Sequence, residues 1–325
     1  MSGIFGASFS WNLYSDLQSM LYYTFIVHAF EAGTIIAIVG GVIGYFVVLR
    51  RSAFAAHALS HIGFAGAAGA VVLNLFYPWV TPLYGLLAFT TGGAAAMAGL
   101  GKRASQRDMS IGITLAFMLG LGSLFITLYG IYGAAFSEEA YSILFGDIFG
   151  ITTLNVVITL LAGMILLLLT SFIYRPLLFS SLDQEVAEAK GMPTLRLGLV
   201  FMLLLAVATS IAVQIIGVLL IFSLLVTPAA VAQQVTTRPS RAILVSVIVA
   251  VVATWLGIFI SYYINFPASF FITSLSFGAY LIARYVYPKV RPSSILRGRA
   301  QESEETKEHT HESSKEIPAI PERTS

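Results

Sequence analysis

A chain of 325 residues with 57% hydrophobic and 10% charged side chains, at a mean hydropathy of +0.85, lies far outside the composition of soluble domains; it reads as an integral membrane protein. The formal net charge of +2 says nothing about nucleic acid, so the position of the charges matters more than their sum. With no cysteine, disulfides, thiolate metal sites and thiol catalysis are excluded.

The first 25 residues lack the basic start of a cleaved signal peptide and are read as mature sequence. Trp11, Tyr14, Tyr22 and Tyr23 stand there among apolar residues with Asp16 the one charge, a pattern expected to lie in the membrane interface. The first span runs from about Phe25 to Leu49 and stops at Arg50-Arg51. From Arg51 to Lys102 no charge intervenes, and the stretch divides at Tyr77–Pro82 into two spans. Arg107 and Arg175 bracket the next pair, separated by a loop with Glu138, Glu139 and Asp147. Arg196 and Arg238 enclose another, turning near Gln214 to Gly217, and Arg241 and Arg284 enclose the last, turning at Asn265–Pro267.

One span plus four hairpins predicts an all-α polytopic bundle of about nine spans, with a transmembrane domain over residues 26–287. Every basic loop falls on one side, which the positive-inside rule assigns to the cytoplasm. The N-terminus is then outside and the C-terminus inside. Residues 288–325 are rich in Ser, Glu and Lys and are expected to form a disordered cytoplasmic tail, whose His309 and His311 are read as chance composition rather than a metal site. Small residues cluster at Gly63–Gly69 and Gly92–Gly101; for the second cluster, close helix packing is the expected role.

Chemistry concentrates in Ala56-His57-Ala58-Leu59-Ser60-His61. Two of the five histidines stand four residues apart, so both imidazoles share one helical face within an apolar segment. A lone buried histidine is usually structural, but polar groups at membrane depth need a partner or a task. Enzyme signatures are missing: there is no Gly-x-x-x-x-Gly-Lys-Ser/Thr loop and no His-Glu-x-x-His motif, and two or three membrane histidines are too few for a di-iron desaturase. For a transporter the further polar candidates are His28 with Glu31, either a local ion pair or part of metal entry; Asp147, either a path residue or a helix cap; and the kink at Ser223 to Thr227-Pro228. In the loop before Arg196, Ser181 followed by Gln184 reads as the start of a capping box. Gly191 and Pro193 then end a short helix at about 183–190.

Four segments in register resemble the metal-ion permease family of ATP-binding-cassette importers, which move zinc, manganese or iron. They are Leu49-Arg50-Arg51 with His57, His61 and Gly66; Leu144-Phe145-Gly146-Asp147; Arg175–Phe179 with Asp183 and Gly191; and Ile216–Ala230. The resemblance spans about residues 26–286. It implies a permease in the cell membrane, as a homodimer or paired with a second permease chain, driven by separate cytoplasmic ATPase subunits and fed by an external metal-binding protein. It also implies that the 183–190 helix, through Asp183, Glu185 and Gly191, docks on the ATPase. His61 matches the histidine of the family's Gly-Asp-x-x-x-His pattern, while His57 stands in place of the Asp and Ala56 in place of the Gly. No cofactor is expected to be permanently bound; the metal is cargo. Imidazole suits zinc and iron better than manganese, so zinc or iron is the expected ion. The alternatives are a metal-chelate importer, an intramembrane metal-dependent enzyme, or a channel-like scaffold with structural histidines.

Overall fold

A computed structural model describes residues 20, 22–100, 104–132, 146, 148–264 and 266–286. Lipid offers no water to backbone N–H and C=O groups, so uncharged apolar runs close their hydrogen bonds internally as helices. In chain order the helices are α1 (Thr24–Leu49), α2 (Ala53–Asn74), α3 (Pro82–Leu100), α4 (Ala104–Tyr132), α5 (Thr153–Phe172), α6 (Tyr174–Leu182), α7 (Gln184–Ala189), α8 (Thr194–Ile216), α9 (Val218–Val235), α10 (Pro239–Ile264) and α11 (Ala268–Val286).

Nine of these match the nine expected spans, and eight are both long and apolar enough to cross a membrane. The remaining one, α3, is 19 residues long and carries Thr90, Thr91 and four glycines, which lower its hydropathy. The turn expected near Gln214–Gly217 is a single residue: Gly217 (φ 80, ψ 166) separates α8 from α9 in a conformation only glycine adopts freely. Gly146 (φ 78) lies against this break, where an added Cβ would come within 2.7 Å of the Gly217 amide nitrogen.

The most buried helices are α1, α2 and α8; α4 and α11 lie at the periphery with most of their surface open. Glycine decides how close the central helices come. A Cβ at Gly41 would be 2.7 Å from Val247 Cα on α10, and one at Gly44 would run into the Leu225 carbonyl on α9. Gly66 of α2 and Gly85 of α3 each stand against the other's carbonyl oxygen, so these two helices cross backbone to backbone. Buried hydroxyls add ties: Ser246 donates to the Gly41 carbonyl at 2.9 Å, and Thr90 of α3 hydrogen-bonds Ser210 of α8.

The packing role expected for the second glycine cluster holds for Gly93, against Ile62, but Gly92 and Gly99 have nothing within 4 Å of an added Cβ. Their face of α3 is open, whereas it is the first cluster that makes the close contacts. The 1–25 segment lies almost wholly outside the described residues. Glu138, Glu139, Leu144, Phe145, Asp147 and the tail with His309 and His311 lie wholly outside them.

Candidate functional site

α2 departs from α1 through a tight corner. Arg51 takes a positive φ of 53, Ser52 donates its N–H to the Val47 carbonyl at 2.8 Å, and the helix starts at Ala53. Alanine, glycine and serine then keep α2 slender and buried, apart from the face that carries the histidines. His57 and His61 sit one turn apart on that face, half-buried, with ring centroids 4.6 Å apart and planes at 80°. Across from them, Phe222 of α9 lies edge-on to His57 at 5.0 Å. His57 Nδ1 is buried without a hydrogen-bond partner, while its carbonyl accepts from the Ser60 hydroxyl at 2.7 Å.

The rings are thus held edge to face one turn apart, and one of their nitrogens has no hydrogen-bond partner. Among the described residues no group of three or more His, Cys, Asp or Glu side chains could hold a metal ion. One chain therefore offers an ion two imidazoles and no third side-chain ligand of these types among those residues. A small, mostly apolar crevice between α1, α5, α8 and α9 touches neither histidine.

Pro228 lies inside α9, which continues through it as helix. The carbonyl that its missing N–H releases is that of Leu224, four residues back. This carbonyl faces Gly40 of α1, 3.8 Å from where a Cβ would stand. The kink is therefore covered by α1. Ser223 and Thr227, with Phe222 and Val226, form the half-buried face of α9.

His28 has tertiary partners instead of a local one: Nδ1 is 3.1 Å from the Ile151 carbonyl and Nε2 is 3.3 Å from the Thr153 hydroxyl. Both ring nitrogens fasten α1 to the start of α5, and Glu31 is exposed. The ion pair that sequence left open for His28 and Glu31 gives way to this tie.

The short helix expected at 183–190 is α7, Gln184–Ala189. Its cap differs from the expected box. Ser181 belongs to α6, where its hydroxyl bonds back to the Leu177 carbonyl. Asp183, extended at φ −146 and ψ 100, caps α7 by accepting from Val186 N–H at 3.0 Å. Asp wins because its carboxylate sits directly before the first helical residue, while Ser181 is still inside the preceding helix. Gly191 (φ 75) ends the segment, with its N–H on the Glu188 carbonyl and the Met192 N–H on that of Ala187. Glu188 accepts from Gln184 at 3.0 Å and from the Thr194 hydroxyl at 2.7 Å, and these bonds hold its carboxyl below the usual glutamate range. Ala187 faces inward, whereas Glu185 and the apolar Leu182 and Val186 are exposed. Phe222 carries no local sequence signal, because its partner His57 comes from a distant segment of the chain, whereas Glu188 could have been found from Gln184, one helical turn before it.

A model of the ABC 3 transport family matches residues 22–287. The chain is 28% identical over 277 residues to the manganese transport system membrane protein MntC of Listeria monocytogenes, covering 84% of this chain and 94% of that protein. It is 31% identical to the manganese import system permease protein ScaB of Streptococcus gordonii, with coverages of 85% and 96%. Relatives named for other ions are the high-affinity zinc uptake system membrane protein ZnuB of Buchnera aphidicola (28%, covering 73% and 88%) and the chelated iron transport system membrane protein YfeC of Yersinia pestis (29%, covering 82% and 88%). Among solved structures, PsaBC from Streptococcus pneumoniae in complex with Fab matches with a TM-score of 0.74 at 28% identity, covering 87% of this chain and 99% of that one.

Proposed function

The chain belongs to the ABC 3 transport family and is a permease subunit of a metal importer in the cell membrane, not an enzyme, and we propose that its cargo is manganese, carried past His57 and His61. The observation behind a path at these residues is the ring pair, with centroids 4.6 Å apart on an otherwise apolar helix and one buried nitrogen lacking a partner; manganese itself is taken from the names of the relatives. Two imidazoles per chain make half a site, and a second copy of the chain would bring the set to four. Water or carbonyl oxygen, which manganese favours, fills any remaining positions.

The preference for zinc or iron over manganese drawn from imidazole chemistry is not supported by the relatives: two named for manganese are matched over 94% and 96% of their length, those named for zinc and iron over 88%. Manganese therefore comes first, with zinc and iron as its competitors. The basic ends of the helices face the cytoplasm. There α7, shaped by Asp183, Glu185 and Gly191, docks on a separate ATP-hydrolysing subunit, and a metal-binding protein delivers the ion to the opposite end.

The test is accumulation of manganese, zinc and iron in cells that co-express the chain with its ATPase and metal-binding protein. Wild type is compared with His57→Ala/His61→Ala at matched membrane levels. Loss of manganese accumulation in the double variant supports the reading. Loss of zinc or iron alone would reassign the ion, and unchanged uptake of all three would remove the pair from the path.

A further inference from the structure

Arg50 ends the first span, and in the sequence it counts as a marker of topology and as part of the Leu49-Arg50-Arg51 segment. A basic residue at such a place ordinarily extends toward water. Arg51, Arg175, Arg196, Arg238, Arg241 and Arg284 are exposed in this way; among the described arginine side chains Arg50 alone is partly buried. Its Nη1 donates to the hydroxyls of Ser180 at 3.3 Å and Ser181 at 3.1 Å, both near the end of α6. Its guanidinium carbon lies 5.5 Å from the centroid of the Phe201 ring on α8. Gly198, one turn before Phe201, borders it as well: a Cβ there would stand in ordinary contact, 3.5 Å from Nη2.

α6 and α8 are the two flanks of α7. One guanidinium thus grips both sides of the loop that carries α7. Its own backbone is two residues from Ser52, the N-cap of the helix that bears His57 and His61. Between grip and helix the chain passes through Arg51 at φ 53, a conformation costly for a residue with a side chain. A displacement of α7 therefore reaches the start of α2 through a short, stiff connection.

We propose that Arg50 is the positioning residue that transmits movement of the ATPase-docking loop to the histidine-bearing helix. The inference rests on the reading of α7 as the docking helix. The planar guanidinium addresses two hydroxyls and a ring face at once, which a lysine ammonium cannot reproduce.

The experiment uses the assembled importer, permease with ATPase and metal-binding protein, in proteoliposomes, and reads manganese imported per ATP hydrolysed. The variants are Arg50→Ala, Arg50→Lys, Ser180→Ala/Ser181→Ala and Asp183→Ala. Arg50→Ala is expected to lower metal per ATP about tenfold, at an unchanged KM for metal. The lysine and double-serine variants fall in between and carry the test should Arg50→Ala not assemble. A merely structural role would lower the yield and melting temperature of the complex while leaving metal per ATP intact in what assembles; that result overturns the proposal. Uncoupling by Asp183→Ala with normal coupling in all Arg50 and serine variants would overturn it too, and leave the docking helix standing. Absence of uptake of manganese, zinc and iron by the assembled wild type would sink the transport reading, and this inference with it.

Discussion

Alanine at Gly85 should force α2 and α3 apart. The new Cβ would lie 2.7 Å from the Ala70 Cβ and closer still to the Gly66 carbonyl oxygen, and the reciprocal Gly66→Ala would meet the Phe89 Cβ at 2.7 Å and the Gly85 carbonyl. Ordinary contact begins at 3.4 Å, so the Ala70 contact alone demands an opening of 0.7 Å (3.4 − 2.7), and the main-chain oxygen demands more. No rotamer change relieves a clash with backbone. Overpacking of this kind costs about 1–3 kcal/mol, and a main-chain obstacle places it near the upper value. Alanine's better helix propensity returns about 1 kcal/mol, leaving a net loss of about 2 kcal/mol by these two figures. Gly120→Ala is the control, because nothing lies within 4 Å of its Cβ and only the propensity gain applies. The assay is the fraction of monodisperse protein that survives a heating ramp in detergent. Gly66→Ala and Gly85→Ala should melt below wild type and Gly120→Ala at or above it. The double variant should lose less than the sum of the two, since one opening relieves both clashes. Wild-type melting of Gly85→Ala would refute the close crossing.

Four further outcomes follow from the site and the loop. Asp183→Ala removes the cap of α7, worth about 1 kcal/mol, and should reduce recovery of the ATPase subunit with the affinity-purified permease. Gly191→Ala meets no steric obstacle, so its cost of about 1–2 kcal/mol comes from φ 75 alone, and Gly191→Asn should recover part of it in the same heating assay. Glu188 is held below the usual glutamate range, so its ties to Gln184 and Thr194 are fully present above that range and are lost as pH falls through the lowered value. Hydrogen-exchange protection at the end of α7 should therefore drop on acidification in wild type, while Glu188→Gln should show no such step. His28→Phe should lower the melting temperature by freeing Ile151 and Thr153 but leave the relative uptake of manganese, zinc and iron unchanged. A change of ion preference would put His28 in the path after all.

The span pattern was legible because charge is so sparse: each interval between basic residues holds helices whose ends the structure places close to the expected turns. The turn near Gln214–Gly217 and the stop at Gly191 could be read as well, since both use glycine for a conformation that other residues resist, though only the structure narrows the turn to Gly217 alone. The spacing of His57 and His61 placed them on one face. Hidden from the sequence was whatever depends on residues far apart in the chain. His28 is claimed by Ile151 and Thr153, more than a hundred positions away. Gly66 and Gly92 look alike in sequence, yet one meets a facing backbone and the other meets nothing. Ser181 and Asp183 both suit a cap, and only the end of α6 at Leu182 decides between them.

The crossing of Gly66 with Gly85 is the tightest point of a longer seam. Gly63 stands against Leu86 and Thr90, and Gly93 against Ile62, so α2 and α3 fit together over several turns. At 1.5 Å per residue His57 and His61 lie about 14 Å and about 8 Å along α2 from the crossing, beside this seam. Interdigitated helices resist sliding past one another, so a displacement imposed at the Arg51 corner must carry α3 along with the two histidines.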